Sequence, residues 1–188
     1  MRVAPRWPFL LLVTVGLCFG LAQMQAGEHE FVGSKKCRTC HMKQFKSWEA
    51  TAMATAFDAL KPSERAEAKK AAGLDPAKDY TTDAECLPCH VTGYGKPGGF
   101  VDIETTPTLA GVGCEWCHGA GGTYLEPEHM SLKNKEYKKT DLVAVGLVDK
   151  VTDAQCVSCH NDKSPTFKEF TFDPEKGIHE HFPLKYEH

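Results

Sequence analysis

Three things are scarce in this sequence. It has no excess of positive charge: 22 Lys and Arg stand against 25 Asp and Glu, a formal net charge of −3. Nothing in that balance points to nucleic acid as a partner. It has one strongly apolar run, Phe9 to Ala22, and that run is short for a membrane span. And it has almost no cysteine outside one repeated pattern. Of nine cysteines only Cys18 stands apart, and Cys18 lies inside the apolar run.

The N-terminus, MRVAPRWPFLLLVTVGLCFGLAQMQAG, has the make-up of a secretory signal. Arg2 and Arg6 give the positive start, Phe9 to Ala22 the apolar middle, and small residues offer cleavage after Ala22 or after Ala26. Lipidation is excluded because Cys18 follows Leu17, where a small residue is needed. An uncleaved anchor is the alternative. The reading is export, with residues 1–22 as signal peptide, residues 23–188 as a single domain, and no stable membrane span after cleavage.

Cleavage leaves eight cysteines, all in Cys-x-x-Cys-His. The four sites are KKCRTCH (Cys37, Cys40, His41), TTDAECLPCH (Cys86, Cys89, His90), GVGCEWCH (Cys114, Cys117, His118) and VTDAQCVSCH (Cys156, Cys159, His160). An even cysteine count in an exported chain ordinarily suggests disulfides. The histidines argue otherwise. Histidine is 9 of 188 residues, so four pairs would all be followed by His by chance less than about once in a hundred thousand. Disulfides have no use for that His. A zinc or iron–sulfur site built from two pairs would leave it idle. A c-type haem uses all three residues: two thiols bond the porphyrin vinyl groups and the imidazole binds iron. Four such haems are expected.

The second and fourth sites repeat almost the same ten residues. In each, a capping box (Thr82 with Glu85, Thr152 with Gln155) is expected to start a short helix before the first cysteine. Removing 22 of the 188 residues leaves 166, about 41 for each site, which makes a thin core. The porphyrins must then fill the interior, close enough to exchange electrons.

Between the sites, Lys43 to Leu60 reads as one amphipathic helix, with Phe45, Trp48, Ala52, Ala56, Phe57 and Leu60 at helical spacing. Glu64 to Ala72 reads as a second, stopped by Gly73. The stretch after His90 is a Gly- and Pro-rich loop with a short strand at Phe100 to Glu104. Its glycines either let backbone approach a porphyrin face or simply make it flexible. Lys133, Lys135, Lys138 and Lys139 form a basic cluster read as a solvated face, with docking to an acidic partner as the other meaning.

Each iron has a second face. The remaining histidines are His29, His129, His179, His181 and His188. His129 follows His118 in a loop and is a candidate ligand. His179 and His181 are two apart, so one of them is expected to bind. His29 and His188 lie near the termini and are expected to face solvent. Met42 adjoins His41 and cannot easily reach the far side of the same iron. Met53 and Met130 remain, with Met24 if cleavage falls at Ala22.

The segments FVGSKKCRTCH, SWEATAMATAF, LDPAKDYTTDAECLPCHVTGYG, GVGCEWCHGAG and IHEH resemble the tetrahaem cytochromes c of ammonia-oxidising bacteria, electron acceptors of hydroxylamine oxidoreductase. The resemblance implies a mainly α fold of short helices and long loops wrapped around four closely packed haems. It implies electron transfer between redox proteins in the periplasm. It implies that His129 crosses to the haem held by His41 and that His179 crosses to the haem held by His160. It also implies a five-coordinate haem on His90, open to a small ligand such as nitric oxide. The helix after the first site supplies a His to the third haem of the family. Here the matching residue is Met53, a departure. A His118–iron–Met53 site would sit at higher potential than one with two imidazoles; otherwise Met53 is core filling. Charge is a second departure, since the family is expected to be basic. The partner is therefore expected to differ, and hydroxylamine oxidation is not assumed. Two other functions fit the same features: reduction of a small nitrogen oxide at the His90 haem, for which no convincing general acid is present, and assembly into a conducting filament, with His29 ligating a neighbour's haem.

Overall fold

The computed structural model describes residues 29–134, 136–169 and 171. The signal segment with Cys18, Lys135, and the tail with His179, His181 and His188 lie outside the described residues. Seven short α-helices are found among those described: α1 (Ser34–Cys37), α2 (Met42–Glu49), α3 (Ala66–Ala71), α4 (Leu87–His90), α5 (Cys114–His118), α6 (Lys139–Ala144) and α7 (Asp153–Val157). Two 3-10 turns, Asp58–Leu60 and Pro107–Leu109, lie between them. Long irregular segments join these elements, as the mainly α reading expects. Among the described residues no helix is long and apolar enough to cross a membrane.

The single helix expected over Lys43 to Leu60 is not formed. Helix α2 stops at Glu49, and residues 50–57 run as successive turns. The Thr51 hydroxyl donates to the Trp48 carbonyl at 2.7 Å, competing with the helical ladder. The Met53 carbonyl then accepts from both Ala56 and Val112 N–H groups, at 3.2 and 2.9 Å. Trp48 Nε1 donates to the Val112 carbonyl at 2.9 Å, fastening the same two segments. We call residues 50–57 the strap.

Helix α3 is shorter than the expected Glu64 to Ala72 because Ser63 and Arg65 both take positive φ, which is costly inside a helix. Its end is as expected. Gly73 N–H bonds the Lys70 carbonyl at 3.1 Å and Leu74 N–H the Lys69 carbonyl at 2.8 Å, a Schellman motif.

The strand expected at Phe100 to Glu104 is a turn instead. Asp102 Oδ1 accepts the N–H groups of Glu104 and Thr105 at 2.9 and 2.7 Å, and Thr106 Oγ1 closes the loop on Asp102. This local bonding satisfies backbone groups that a ladder would otherwise need. The only β-type pairing among the described residues is an isolated antiparallel bridge between Val91 and Ala110. The glycines ahead of this turn serve chain–chain contact. A Cβ at Gly99 would fall on the Gly93 carbonyl, and one at Gly93 would touch the Phe31 ring.

The core is small and centred on the second site. Phe57, Leu60, Tyr80, Leu87, Val91, Phe100 and Leu109 form one buried cluster. The Phe57 and Phe100 rings stand 5.5 Å apart, tilted. Leu87 lies inside Cys-x-x-Cys and Val91 directly follows His90, so the core grips that attachment turn from both ends.

Candidate functional site

Each of the four motifs is folded as a helical turn. In the first, Cys40 and His41 N–H groups return to the Cys37 carbonyl at 3.2 and 2.9 Å. In the fourth, Cys159 and His160 return to Cys156 at 3.2 and 2.9 Å. The second and third motifs lie on α4 and α5. Residues i, i+3 and i+4 of a helical turn share one face. The pattern therefore delivers two thiols and an imidazole together, the arrangement that a thioether-linked haem requires. All eight described cysteines are unbridged.

The two near-identical decapeptides do not fold alike. Around α7 the capping box is complete: the Thr152 side chain accepts from the Gln155 backbone, and Gln155 Oε1 accepts the Thr152 N–H at 3.0 Å. At the second site the expected box of Thr82 and Glu85 is absent. There Asp83 organises the turn, its carbonyl accepting from Cys86 and Leu87 at 3.0 Å each and its Oδ1 from Glu85 N–H at 3.0 Å. The difference traces to Pro88, which stands where the other copy has Ser158. Proline has no N–H, and its ring clashes with the carbonyl four residues earlier. Helix α4 therefore starts only at Leu87, with proline in its first turn.

The third motif is held by residues far away in sequence. Glu115, between its two cysteines, is 2% exposed. Its carboxylate accepts the N–H groups of Val32, Gly33 and Gly121 at 2.9, 2.7 and 2.7 Å. At the start of α5, Thr92 Oγ1 accepts the Gly113 N–H at 2.8 Å and Ser34 Oγ the Cys114 N–H at 3.0 Å. These side chains satisfy helix N–H groups that lack intrahelical partners. The sequence reading missed Glu115, Thr92 and Ser34. A charged residue inside Cys-x-x-Cys was the one visible sign.

Cysteines also meet across motifs. The Cys37 and Cys114 side chains lie beside each other where α1 packs on α5, and Cys89 and Cys159 face each other across one cavity. The first motif thus neighbours the third, and the second neighbours the fourth. Within the first pair the contact with Cys37 favours ionisation of Cys114, pushed down to about 7, and holds Cys37 protonated, far above the usual thiol range. Burial, then the contact with Cys89, pushes Cys159 up to about 12. Burial also raises Cys86, with the Asp83 carboxylate adding to it.

A cavity of about 550 Å³ opens between three motifs. Cys89 and His90 face it from the second, Cys117 from the third, and Cys156, Cys159 and His160 from the fourth. Met53, Trp116 and Gln155 are among the other residues of its wall. The volume suits a large organic group, and the donor set suits haem iron. His90 shows the fit best. Its Nδ1 lies 2.6 Å from the Ala56 carbonyl oxygen. A carbonyl only accepts, so the proton sits on Nδ1 and the Nε2 lone pair is left for a metal.

The other expected site residues fall as follows. Met53 lines the cavity together with residues of the second, third and fourth motifs. His129 lies in the turn after His118, half-buried, with the Glu126 and Glu128 carboxylates within 4.8 Å; it does not line the cavity. His179 is outside the described residues. His29, expected in solvent, is instead half-buried, with Nδ1 2.7 Å from Thr123 Oγ1 and its ring against Gly146. That internal contact does not favour its reaching a neighbouring molecule. Lys133, Lys138 and Lys139 are exposed, which both a solvated face and a docking face require.

Comparison with known proteins follows the same lines. The family model described as cytochrome c554 and c-prime matches residues 36–119. Cytochrome c-554 of Nitrosomonas europaea is 44% identical over 143 residues, covering 73% of this chain. The match spans 60% of that relative's own length. A solved structure of the reduced state of cytochrome c554 from the same organism superposes with a TM-score of 0.61 at 39% identity. That superposition covers 83% of this chain and 80% of the other.

Proposed function

The chain belongs to the cytochrome c554 family and carries four c-type haems, and from this premise we propose that it passes electrons between redox proteins in the periplasm. The supporting observation is the nearness of the attachment turns: α1 of the first motif packs on α5 of the third, and residues of the second, third and fourth motifs share one cavity. Groups anchored on neighbouring turns are held near one another, which suits relay better than isolated reaction pockets.

The bound haems supply one-electron redox chemistry; the chain supplies anchoring, orientation and tuning. The cysteines of each motif fix one group, on Cys37 and Cys40, Cys86 and Cys89, Cys114 and Cys117, and Cys156 and Cys159. His41, His90, His118 and His160 offer the near-side ligands. On this reading His129 serves the first site and His179 the fourth from the far side. The His90 site keeps an open face that would admit a small ligand such as nitric oxide. At the third site Met53 offers a thioether. Being soft and weakly donating, it favours ferrous iron and raises that site above its neighbours in potential.

The strap links two of these roles. Ala56 holds the tautomer of His90, while Met53, three residues earlier, faces the same cavity. The residue that tunes one site and the carbonyl that orients the ligand of another therefore belong to one short piece of chain.

Redox titration followed optically tests the proposal. The reading expects four one-electron steps, one set apart at the high end. A protein that holds its haems but takes up no electrons from any dye or protein donor would refute it.

A further inference from the structure

Gln155 immediately precedes Cys156, and its side chain bonds in two directions. Oε1 accepts the Thr152 N–H at 3.0 Å. Nε2 donates to the Cys117 carbonyl at 3.2 Å. The orientation of the amide follows from its partners, since an N–H needs an acceptor and a carbonyl needs a donor. One planar group therefore joins the start of the fourth attachment turn to the interior of the third. Beside it, the Val148 N–H bonds the His118 carbonyl at 2.9 Å, and Gln155 itself lines the cavity between the two turns. The repeated cassette at the second site has Glu85 in this position. A carboxylate has no N–H to give, and among the described residues no such tie is formed there.

We propose that Gln155 is a positioning residue for electron passage between the third and fourth sites. This rests on the electron-transfer reading above. Its amide sets where α7 lies against Cys117. A group joined through thioethers follows its cysteine backbone closely, so sliding of α7 becomes displacement of one redox centre from another. The bond adds little to overall stability. Its effect is on one relative movement of two short turns.

Three variants of the full haem-loaded protein separate this role from simple helix capping. Gln155→Glu keeps an acceptor for the Thr152 N–H and removes the donor to Cys117. Gln155→Met fills similar space and removes both bonds. Thr152→Ala weakens the start of α7 but leaves the amide on Cys117. Pulsed electron paramagnetic resonance reads the dipolar interaction between the oxidised irons, which depends on distance and not on added charge. Electron exchange after flash reduction gives the second readout. Both Gln155 variants should show a changed dipolar interaction and severalfold slower exchange between these sites, while Thr152→Ala matches the parent. Should Gln155→Met fail to fold, Gln155→Glu decides alone. The inference is overturned if the Gln155 variants match the parent, or if Thr152→Ala shows the same change. If the parent itself exchanges no electrons among its sites, the electron-transfer reading fails first and takes this inference with it.

Discussion

The His90 Nδ1 stands 2.6 Å from the Ala56 carbonyl oxygen, so the imidazole of the second motif is aimed by the backbone of the strap that carries Met53. A side-chain change at position 53 leaves that carbonyl in place. The Met53→Ala protein should keep an unchanged second site while the third loses its thioether. The parent should show the far-red sulfur-to-iron band when oxidised, and the variant should not. Absence of the band from the parent would end the Met53 assignment.

Met53→His extends the same argument. An imidazole is a stronger donor to ferric iron, so the highest of the four potentials should fall. The change should be a fraction of the roughly 0.8 V that axial ligands span. Spectroelectrochemical titration reads it, and an unchanged highest potential would place Met53 away from iron.

Glu115 is the one acidic side chain whose loss should be severe. Its removal strands the N–H groups of Val32, Gly33 and Gly121, each costing about 1–3 kcal/mol when left unpaired. Glu115→Ala should lose about 3 kcal/mol or more in denaturant unfolding. Glu115→Gln, which keeps one accepting oxygen, should lose less. Equal stability of all three proteins would show that the lead-in is held some other way.

The two cassettes give an internal control. Thr152→Ala removes a formed cap and should cost about 1 kcal/mol. Thr82→Ala, at an exposed position with no cap, should stay within about 0.5 kcal/mol of the parent. Unfolding curves compare them, and equal losses would mean that the second box also forms.

The helical turn at each Cys-x-x-Cys-His motif was readable because its geometry is local: residues i, i+3 and i+4 define a face wherever one helical turn exists. The core positions Phe45, Phe57 and Leu60 were also readable, and all three are buried. Their conformation was not. The apolar spacing that suggested one helix from Lys43 to Leu60 continues through turns, because Val112, distant in sequence, takes the Met53 carbonyl. Pro88 was in plain view and distinguishes the two cassettes, yet their likeness hid it. Glu115 could not have been assigned, since its partners at Val32, Gly33 and Gly121 meet only in the folded chain. The same holds for His29, whose place near the chain start suggested solvent and whose partner is Thr123.

The account depends on porphyrin joined to the chain at Cys37 and Cys40, Cys86 and Cys89, Cys114 and Cys117, and Cys156 and Cys159. Mass spectrometry of the purified protein, denatured and washed with acidified organic solvent, measures this directly. The account predicts a polypeptide that stays red and is heavier by four haems. Colour released into the solvent, or a chain at the mass of its amino acids alone, would contradict it.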